Sequence, residues 1–262
     1  MKTLVPRAER HSLILQVAPA QAATSISGWT ENISASGLFI QTHETFAVGD
    51  AVHVDLILAG LREPIHVDGA VVWLRPAAGN QAPGIGLRVE NEPARRKLAE
   101  LSFAASATAA SETPEPYRVV IAEDNPLMVS SYRRVLRKAG EIVGGNMELA
   151  VGKDGYEALE LIRAAPTQLV ITDMYMPVMD GLHLIEAIRA DPAIANVAIL
   201  VITVGEENER AECLRAGADA FLEKPIQFGS MLDTMAGLRR LVALRRNLQA
   251  RSSDARSLPV TS

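Results

Sequence analysis

Short apolar runs with alternating polar positions mark the first hundred residues of the chain. They occur at residues 13–17, 38–42, 52–58, 65–73 and 85–89, and glycine, proline and asparagine separate them. Runs of this length between turn formers predict β-strands. A helix is predicted from Asn91 through Phe103, because Pro93 lies near its first turn. Short, evenly spaced strands followed by one helix are typical of a small β-barrel or sandwich.

The pattern changes after residue 117 to alternating strands and helices. Short, mainly apolar runs at 119–122, 147–151, 169–172, 198–202 and 220–222 predict strands, and a helical pattern follows each run. Five such strand–helix units predict a doubly wound, five-stranded parallel sheet with helices on both faces. Ligands of such sheets bind at the carboxyl ends of the strands.

The two patterns are separated by a stretch without large apolar side chains. Residues 104–116 are almost entirely Ala, Ser, Thr, Pro and Glu, which bury too little surface to offset the entropy of ordering them. We therefore predict a barrel domain at 1–105, a linker at 106–116, a parallel-sheet domain at 117–245 and a basic flexible tail at 246–262. A length of 262 residues is consistent with two domains.

Composition and charge exclude several classes of protein. No apolar run approaches the roughly 20 residues that span a bilayer, so membrane insertion is not expected. One cysteine excludes an internal disulfide and favours a reducing, cytoplasmic location. Residues 117–236 hold 18 acidic against 11 basic side chains, whereas 237–262 hold six arginines against one aspartate. Aromatic residues are 4% of the chain, which argues against a nucleic-acid-binding protein.

Polar side chains follow the predicted parallel strands where each strand ends. Glu123 and Asp124 follow the first strand, Asp173 the third, Thr203 the fourth and Lys224 the fifth. Carboxylates that converge at one crevice repel each other and favour a bound cation, and a hard ion such as Mg²⁺ suits oxygen ligands. A hydroxyl and an ammonium opposite the acids suit phosphoryl oxygens. The pattern predicts a site where a carboxylate accepts a phosphoryl group.

These residues carry a resemblance to a known family. The pair Glu123-Asp124, the segment from Asp173 to Gly181, Thr203 and the pair Lys224-Pro225 resemble the receiver domain of two-component response regulators. The resemblance implies that Asp173 is the phosphoacceptor. It also implies the other roles: metal binding by Glu123, Asp124, Asp173 and the backbone carbonyl of Tyr175, and phosphoryl contact and switching by Thr203, Lys224 and Phe221.

Three positions depart from the usual receiver pattern. Glu123 stands where aspartate is more usual, and Tyr175 places an aromatic ring beside the phosphoacceptor. Val204 is larger than the residue that commonly follows the threonine. We predict that Val204 narrows access to the site and slows loss of the phosphoryl group. Ordinary core packing stays open as an alternative role for Phe221.

The barrel domain offers candidate anion-binding groups rather than catalytic ones. Arg7, Arg10 and His11 precede the first predicted strand, and the segment Asn32-x-Ser34-x-x-Gly37 has short polar side chains beside glycine. This segment and residues 84–89 resemble the PilZ domain, a small β-barrel that is a receptor for cyclic di-GMP. The resemblance implies cyclic di-GMP binding by the six named residues. His11 stands where the family has a second arginine, so a protein partner in place of the nucleotide stays open.

We therefore predict a cytoplasmic response regulator that is not an enzyme, apart from its own phosphorylation and dephosphorylation. Its predicted partners are a histidine kinase, an unidentified downstream protein and a second copy of itself after phosphorylation. Two alternatives stay open: an unphosphorylated pseudo-receiver scaffold, and a phosphohydrolase with Asp173 as nucleophile. Tyr175 argues against the second, because such enzymes carry a second carboxylate at that position.

Overall fold

The computed structural model describes residues 11–20, 26, 28–58, 63–77, 82–108, 117–143, 147–204, 207–226 and 228–254. The chain divides between Ala110 and Ser111 into two compact units, and this division falls inside the segment predicted as a linker. In the described part of the chain, no helix is long and apolar enough to cross a bilayer.

The first unit is a closed antiparallel barrel followed by a helix. Its strands pair in the order β1-β2-β3-β6-β5-β4, and β4 pairs back with β1. The strand and helix bounds are β1 Gln16–Pro19, β2 Gly28–Ser34, β3 Gly37–Gln41, β4 Ala51–Ile57, β5 Ile65–Arg75, β6 Gly84–Val89 and α1 Glu92–Thr108. The predicted barrel with its C-terminal helix is confirmed.

The barrel interior follows from the alternation of apolar residues. In β4, Val52, Val54 and Leu56 are fully buried, while the residues between them face outward. The sequence analysis missed β2, because Gly28–Ser34 contains Thr, Glu, Asn and Ser and lacks a continuous apolar run. Thr30 nevertheless belongs to the buried set, because its hydroxyl bonds to the backbone of Leu13 and Leu15.

The second unit is a five-stranded parallel sheet with the order β11-β10-β9-β7-β8, as predicted. Its three central strands are buried almost throughout and consist mainly of apolar residues, as expected when helices cover both faces. The strands are β7 Tyr117–Ala122, β8 Met147–Gly152, β9 Leu169–Thr172, β10 Ala198–Thr203 and β11 Ala220–Glu223. The helices are α2 Pro126–Val143, α3 Gly155–Ala164, α4 Gly181–Ala190, α5 Glu207–Ala216 and α6 Phe228–Asp254.

The last helix extends further than the sequence analysis predicted. Helix α6 ends at Asp254, so residues 246–254 are helical rather than part of a flexible tail; residues 255–262 lie outside the described part. Arg245 is 6% exposed and donates to both carboxylate oxygens of Asp219, which precedes β11. Arg189 of α4 donates to the same carboxylate at 2.8 Å. The pKa of the Asp219 carboxyl therefore lies below its ordinary value: its burial raises the pKa, but the two guanidinium groups outweigh that effect.

Candidate functional site

The carboxyl ends of the parallel strands bring two acids and a lysine together. Glu123 follows β7, Asp173 follows β9 and Lys224 follows β11. The Lys224 Nζ atom lies 2.6 Å from Asp173 Oδ2 and 3.2 Å from Glu123 Oε2. Because β10 lies between β9 and β11, the lysine side chain reaches across the end of β10 to meet both acids. We call these three residues the acid–lysine cluster.

The acid–lysine cluster is shielded from solvent, which changes its proton affinities. Burial raises the pKa of the Glu123 carboxyl above its ordinary value, and the Lys224 ammonium offsets only part of this effect. Burial disfavours the charge on Lys224, but its hydrogen bond and charge interaction with Asp173, aided by Glu123, raise the pKa of the ammonium above its ordinary value. The lysine therefore stays charged at neutral pH and holds the two acids together.

The backbone around Asp173 fixes the direction of its carboxylate. The Asp173 N–H donates to the Ala122 carbonyl at 3.1 Å, which ties the loop after β9 to the end of β7. The Met174 N–H donates to Asp173 Oδ1 at 2.7 Å, so the other oxygen, Oδ2, faces Lys224. Gly181 packs so closely on the Asp173 carbonyl that a Cβ atom there would overlap it. Asp180, which caps α4 through the His183 N–H, fixes the start of that helix next to the loop.

Thr203 ends β10, between the strands that lead to Asp173 and Lys224, and it is fully buried. Its hydroxyl oxygen has no hydrogen-bond partner among the described residues. An unpaired buried hydroxyl costs about 1–3 kcal/mol of stability. Such a group is expected where a ligand oxygen completes the bonding, so Thr203 has the chemistry of a phosphoryl contact.

The other predicted residues of this unit lie around the acid–lysine cluster. Val204 is 71% exposed, so its side chain lies at the surface. Phe221 is buried in β11, and the Arg210 guanidinium lies 5.7 Å from the centre of its ring. The Tyr175 side chain is mostly exposed, and its hydroxyl donates to the Glu209 carboxylate of α5. Sequence reasoning missed the bond to Glu209, because no motif connects the two positions.

Asp124 follows Glu123 and is exposed, so its carboxylate is available to bind Mg²⁺ from solvent. Within the described ranges, no three His, Cys, Asp or Glu side chains are grouped closely enough to hold a metal ion. Mg²⁺ does not require such a group, because it keeps several waters and binds one or two carboxylates. Asp124 and Asp173 offer hard oxygen ligands, and in the described part of the chain the two buried acids share the single ammonium of Lys224. The donor set therefore fits a magnesium ion.

In the barrel, the structure places three of the six predicted nucleotide ligands on neighbouring strands, and a fourth, His11, at a bridge to one of them. Asn32 and Ser34 lie in β2, and Gly37 opens β3 opposite Ser34. The Ser34 hydroxyl donates to the Gly37 carbonyl at 3.0 Å. His11 forms a β-bridge with Ile33, with both N–H···O distances at 2.9 Å. Arg7 and Arg10 lie outside the described residues.

The outer face of the barrel beside Asn32 contains groups that sequence reasoning missed. Asn32 pairs with Phe39, Phe39 with Gly86, and Gly86 with Trp73, so these residues lie side by side across four strands. Trp73 is 48% exposed, and its ring centre lies 5.2 Å from that of Phe39. A signal for this row was present in the glycines of β6, which leave room for the two rings.

Two family models match the chain. A model of the PilZ domain matches residues 6–104, and a model of the response regulator receiver domain matches residues 119–236. Together they cover both units of the structure. The segment between them, residues 105–118, includes the predicted linker.

Curated relatives share the same kind of match. A chemotaxis protein CheY from Halobacterium salinarum is 28% identical over 119 residues, 45% of this chain and 93% of the relative. A response regulator MprA from Mycolicibacterium vanbaalenii is 35% identical over 126 residues, 48% of this chain and 51% of the relative. The sensor histidine kinase TmoS from Ectopseudomonas mendocina is 32% identical over 142 residues, 52% of this chain but only 14% of the kinase. The match thus spans a small part of the larger relatives.

Solved structures are similar as well. The chemotaxis protein CheY4 of Vibrio cholerae is 26% identical, with 46% of this chain and 97% of that protein covered at a TM-score of 0.42.

Proposed function

We propose that this chain, which joins a PilZ domain to a response regulator receiver domain, is a cytoplasmic two-component response regulator that accepts a phosphoryl group on Asp173. The observation that carries the proposal is the acid–lysine cluster, with Lys224 Nζ 2.6 Å from Asp173 Oδ2. Thr203, at the end of the strand between β9 and β11, supports it with a buried hydroxyl that has no hydrogen-bond partner among the described residues. The phosphoryl donor is a histidine kinase. The PilZ domain is the output, and it binds cyclic di-GMP.

The proposed transfer uses the groups at the ends of the strands. An Asp173 oxygen forms a bond to phosphorus, and the bond from phosphorus to the donor's imidazole nitrogen breaks, so the electron pair leaves with the imidazole. Lys224 neutralises charge on the phosphoryl oxygens, and the Thr203 hydroxyl donates a hydrogen bond to one of them. Asp124 and Asp173, with Glu123 through water and the backbone carbonyl of Tyr175, would hold Mg²⁺. When bound, this ion supplies positive charge that lowers the repulsion between the acids and the incoming phosphoryl group.

Phosphorylation is proposed to shift the receiver between two states that a partner distinguishes. Phe221 is the proposed switch aromatic. It is buried in β11, three residues before Lys224. The expected readers are a downstream protein and a second copy of the phosphorylated chain. In this role the protein is a phosphoacceptor rather than an enzyme.

The nucleotide part of the proposal is supported by the barrel geometry. Asn32 belongs to the motif that resembles the cyclic di-GMP contact of PilZ domains. Its Oδ1 atom is buried and has no hydrogen-bond partner among the described residues, as expected of an atom that bonds to a ligand. His11 forms a β-bridge to Ile33, the residue after Asn32 in β2. Arg7, Arg10, Ser34 and Gly37 complete the proposed ligand set.

The test of phosphorylation uses the full chain with acetyl phosphate and Mg²⁺. We expect intact-mass analysis to show one added phosphoryl group, and size-exclusion chromatography with beryllofluoride to show a shift towards dimer. An Asp173→Asn variant is the control and should remain unmodified. Modification of that variant to the same extent would place the phosphoryl group elsewhere and refute the assignment.

The test of nucleotide binding is calorimetry with cyclic di-GMP, with and without beryllofluoride. Heat of binding at micromolar protein supports the nucleotide as the ligand of the barrel. No heat from the wild-type chain in either state would refute cyclic di-GMP as the ligand of the PilZ domain.

A further inference from the structure

A β-bulge lies next to the proposed nucleotide contact. Thr30 pairs with Ile40 and Asn32 pairs with Phe39, so Glu31 is an extra residue in β2 with no partner in β3. Bulges interrupt the alternation of a strand and re-aim the side chains beside them. The direction of the Asn32 side chain therefore depends on the conformation of Glu31.

The Glu31 side chain is held by groups from two other strands. Arg75 of β5 donates to both carboxylate oxygens, with Nη2 at 2.6 Å and Nη1 at 3.3 Å. Gln41 of β3 donates to Glu31 Oε2 at 3.2 Å. A bidentate arginine–carboxylate pair fixes orientation as well as distance. We call this ion pair the Glu31–Arg75 strap.

The strap joins two strands that are not neighbours. Strands β2 and β5 are separated by β3 and β6 in the barrel, so the strap crosses both of them on the outer face. The Arg75 guanidinium lies 4.1 Å from the centre of the Phe39 ring, and its Nε donates to the Ala82 carbonyl at 2.7 Å. The Arg75 side chain is only 12% exposed, so solvent screens the pair less than a surface salt bridge. Arg75 is thus held by three contacts, with Glu31, Phe39 and Ala82, and it restricts the conformation of the bulge.

The bulge lies next to the amide oxygen of Asn32. Asn32 Oδ1 is a buried acceptor with no donor among the described residues. Buried acceptors are usually bonded, so this one has the chemistry of a ligand contact. A guanine base offers N–H donors and a ribose offers a hydroxyl donor, and either satisfies an amide oxygen.

We propose that the Glu31–Arg75 strap is a positioning device that holds the bulge of β2 so that Asn32 presents its amide oxygen to the nucleotide. The inference rests on the proposed binding of cyclic di-GMP. Neither Glu31 nor Arg75 touches the ligand in this proposal, and both act through Asn32.

The experiment is a double-mutant cycle measured by calorimetry with cyclic di-GMP on the full chain. Arg75→Met and Asn32→Ala are each expected to weaken binding about tenfold, the effect of one hydrogen bond to a ligand. In the Asn32→Ala background, Arg75→Met is expected to change the affinity by no more than about twofold, because the strap then has no contact left to position. Glu31→Gln should behave like Arg75→Met, and Arg75→Lys should restore part of the loss.

The outcomes separate the strap from the binding function. No binding by the wild-type chain overturns the nucleotide proposal and the strap with it. Wild-type binding that Arg75→Met leaves unchanged overturns the strap alone. An equal loss from Arg75→Met in both backgrounds also overturns it, because that result reports direct attraction or general damage to the barrel. Arg96→Met removes the same charge from an exposed pair on α1 and should leave the affinity unchanged. Circular dichroism of each variant checks that the barrel is folded, and Glu31→Gln decides the question if Arg75→Met unfolds.

Discussion

Replacing Thr203 by valine is expected to stabilise the receiver domain while it removes the response to phosphorylation. Thr203 is fully buried and its hydroxyl has no partner among the described residues, so valine removes an unsatisfied polar group without changing the volume of the side chain. The gain should be about 1–3 kcal/mol, the cost of a buried hydroxyl without a hydrogen bond. Because the same hydroxyl is the proposed phosphoryl contact, beryllofluoride should no longer shift the variant towards dimer.

Thr172 provides a matched control at the end of the neighbouring strand. It is also fully buried, but its hydroxyl donates to the Asp173 carbonyl at 2.8 Å. Thr172→Val should therefore lose about 1 kcal/mol, opposite in sign to the change at Thr203. Hydrogen exchange read by mass spectrometry on β9 and β10 measures the opening free energy of the receiver within the full chain, where a single unfolding free energy for two domains is not well defined. A loss of protection in Thr203→Val would refute the reasoning, because it would mean that the hydroxyl has a partner in the free protein.

Three further predictions concern buried charges and a buried thiol. Arg245→Met should lower the opening free energy of the receiver by about 2–4 kcal/mol, because Asp219 loses two charge-assisted hydrogen bonds but keeps its bond to Arg189. Arg246→Met is the control at an exposed position of the same helix, and it should change this free energy by less than about 0.5 kcal/mol. Glu123→Gln should make the receiver more stable towards urea at pH 7, and this gain should disappear near pH 4. Burial raises the folded-state pKa of the Glu123 carboxyl, so its negative charge opposes folding at pH values above its ordinary pKa and no longer does so below it. Cys213 is fully buried and its pKa is raised to about 12, so iodoacetamide at pH 7 should label it only after unfolding in urea; rapid labelling of the folded chain would contradict this burial.

The fold of the receiver and the position of its acids could be predicted from the sequence, for a physical reason. Parallel strands buried on both faces are continuous apolar runs, and the residue after each run lies at one edge of the sheet. This rule was sufficient to predict that Asp173, Glu123 and Lys224 lie close together. It did not predict that the Thr203 hydroxyl has no partner among the described residues or that Tyr175 bonds to Glu209, because both facts depend on side-chain directions that the order of strands and helices does not determine.

The misses in the sequence analysis share a cause. Strand β2 was missed because its buried Thr30 bonds to backbone groups of Leu13 and Leu15, which a count of apolar residues does not register. The burial of Arg245 could not be predicted from the sequence either, because a charged residue is usually exposed. Its partner Asp219 lies 26 positions earlier in the chain, so only the folded structure shows that the charge is buried and paired.

Closure of the barrel limits the ways in which a partner can read the PilZ domain. Because β1 pairs with both β2 and β4, the described strands form a ring in which each strand has a neighbour on both sides. These six strands therefore offer no free edge for β-augmentation, the addition of an extended peptide to a sheet. A partner that binds these strands must contact their side chains, so its specificity there depends on surface chemistry rather than on main-chain pairing.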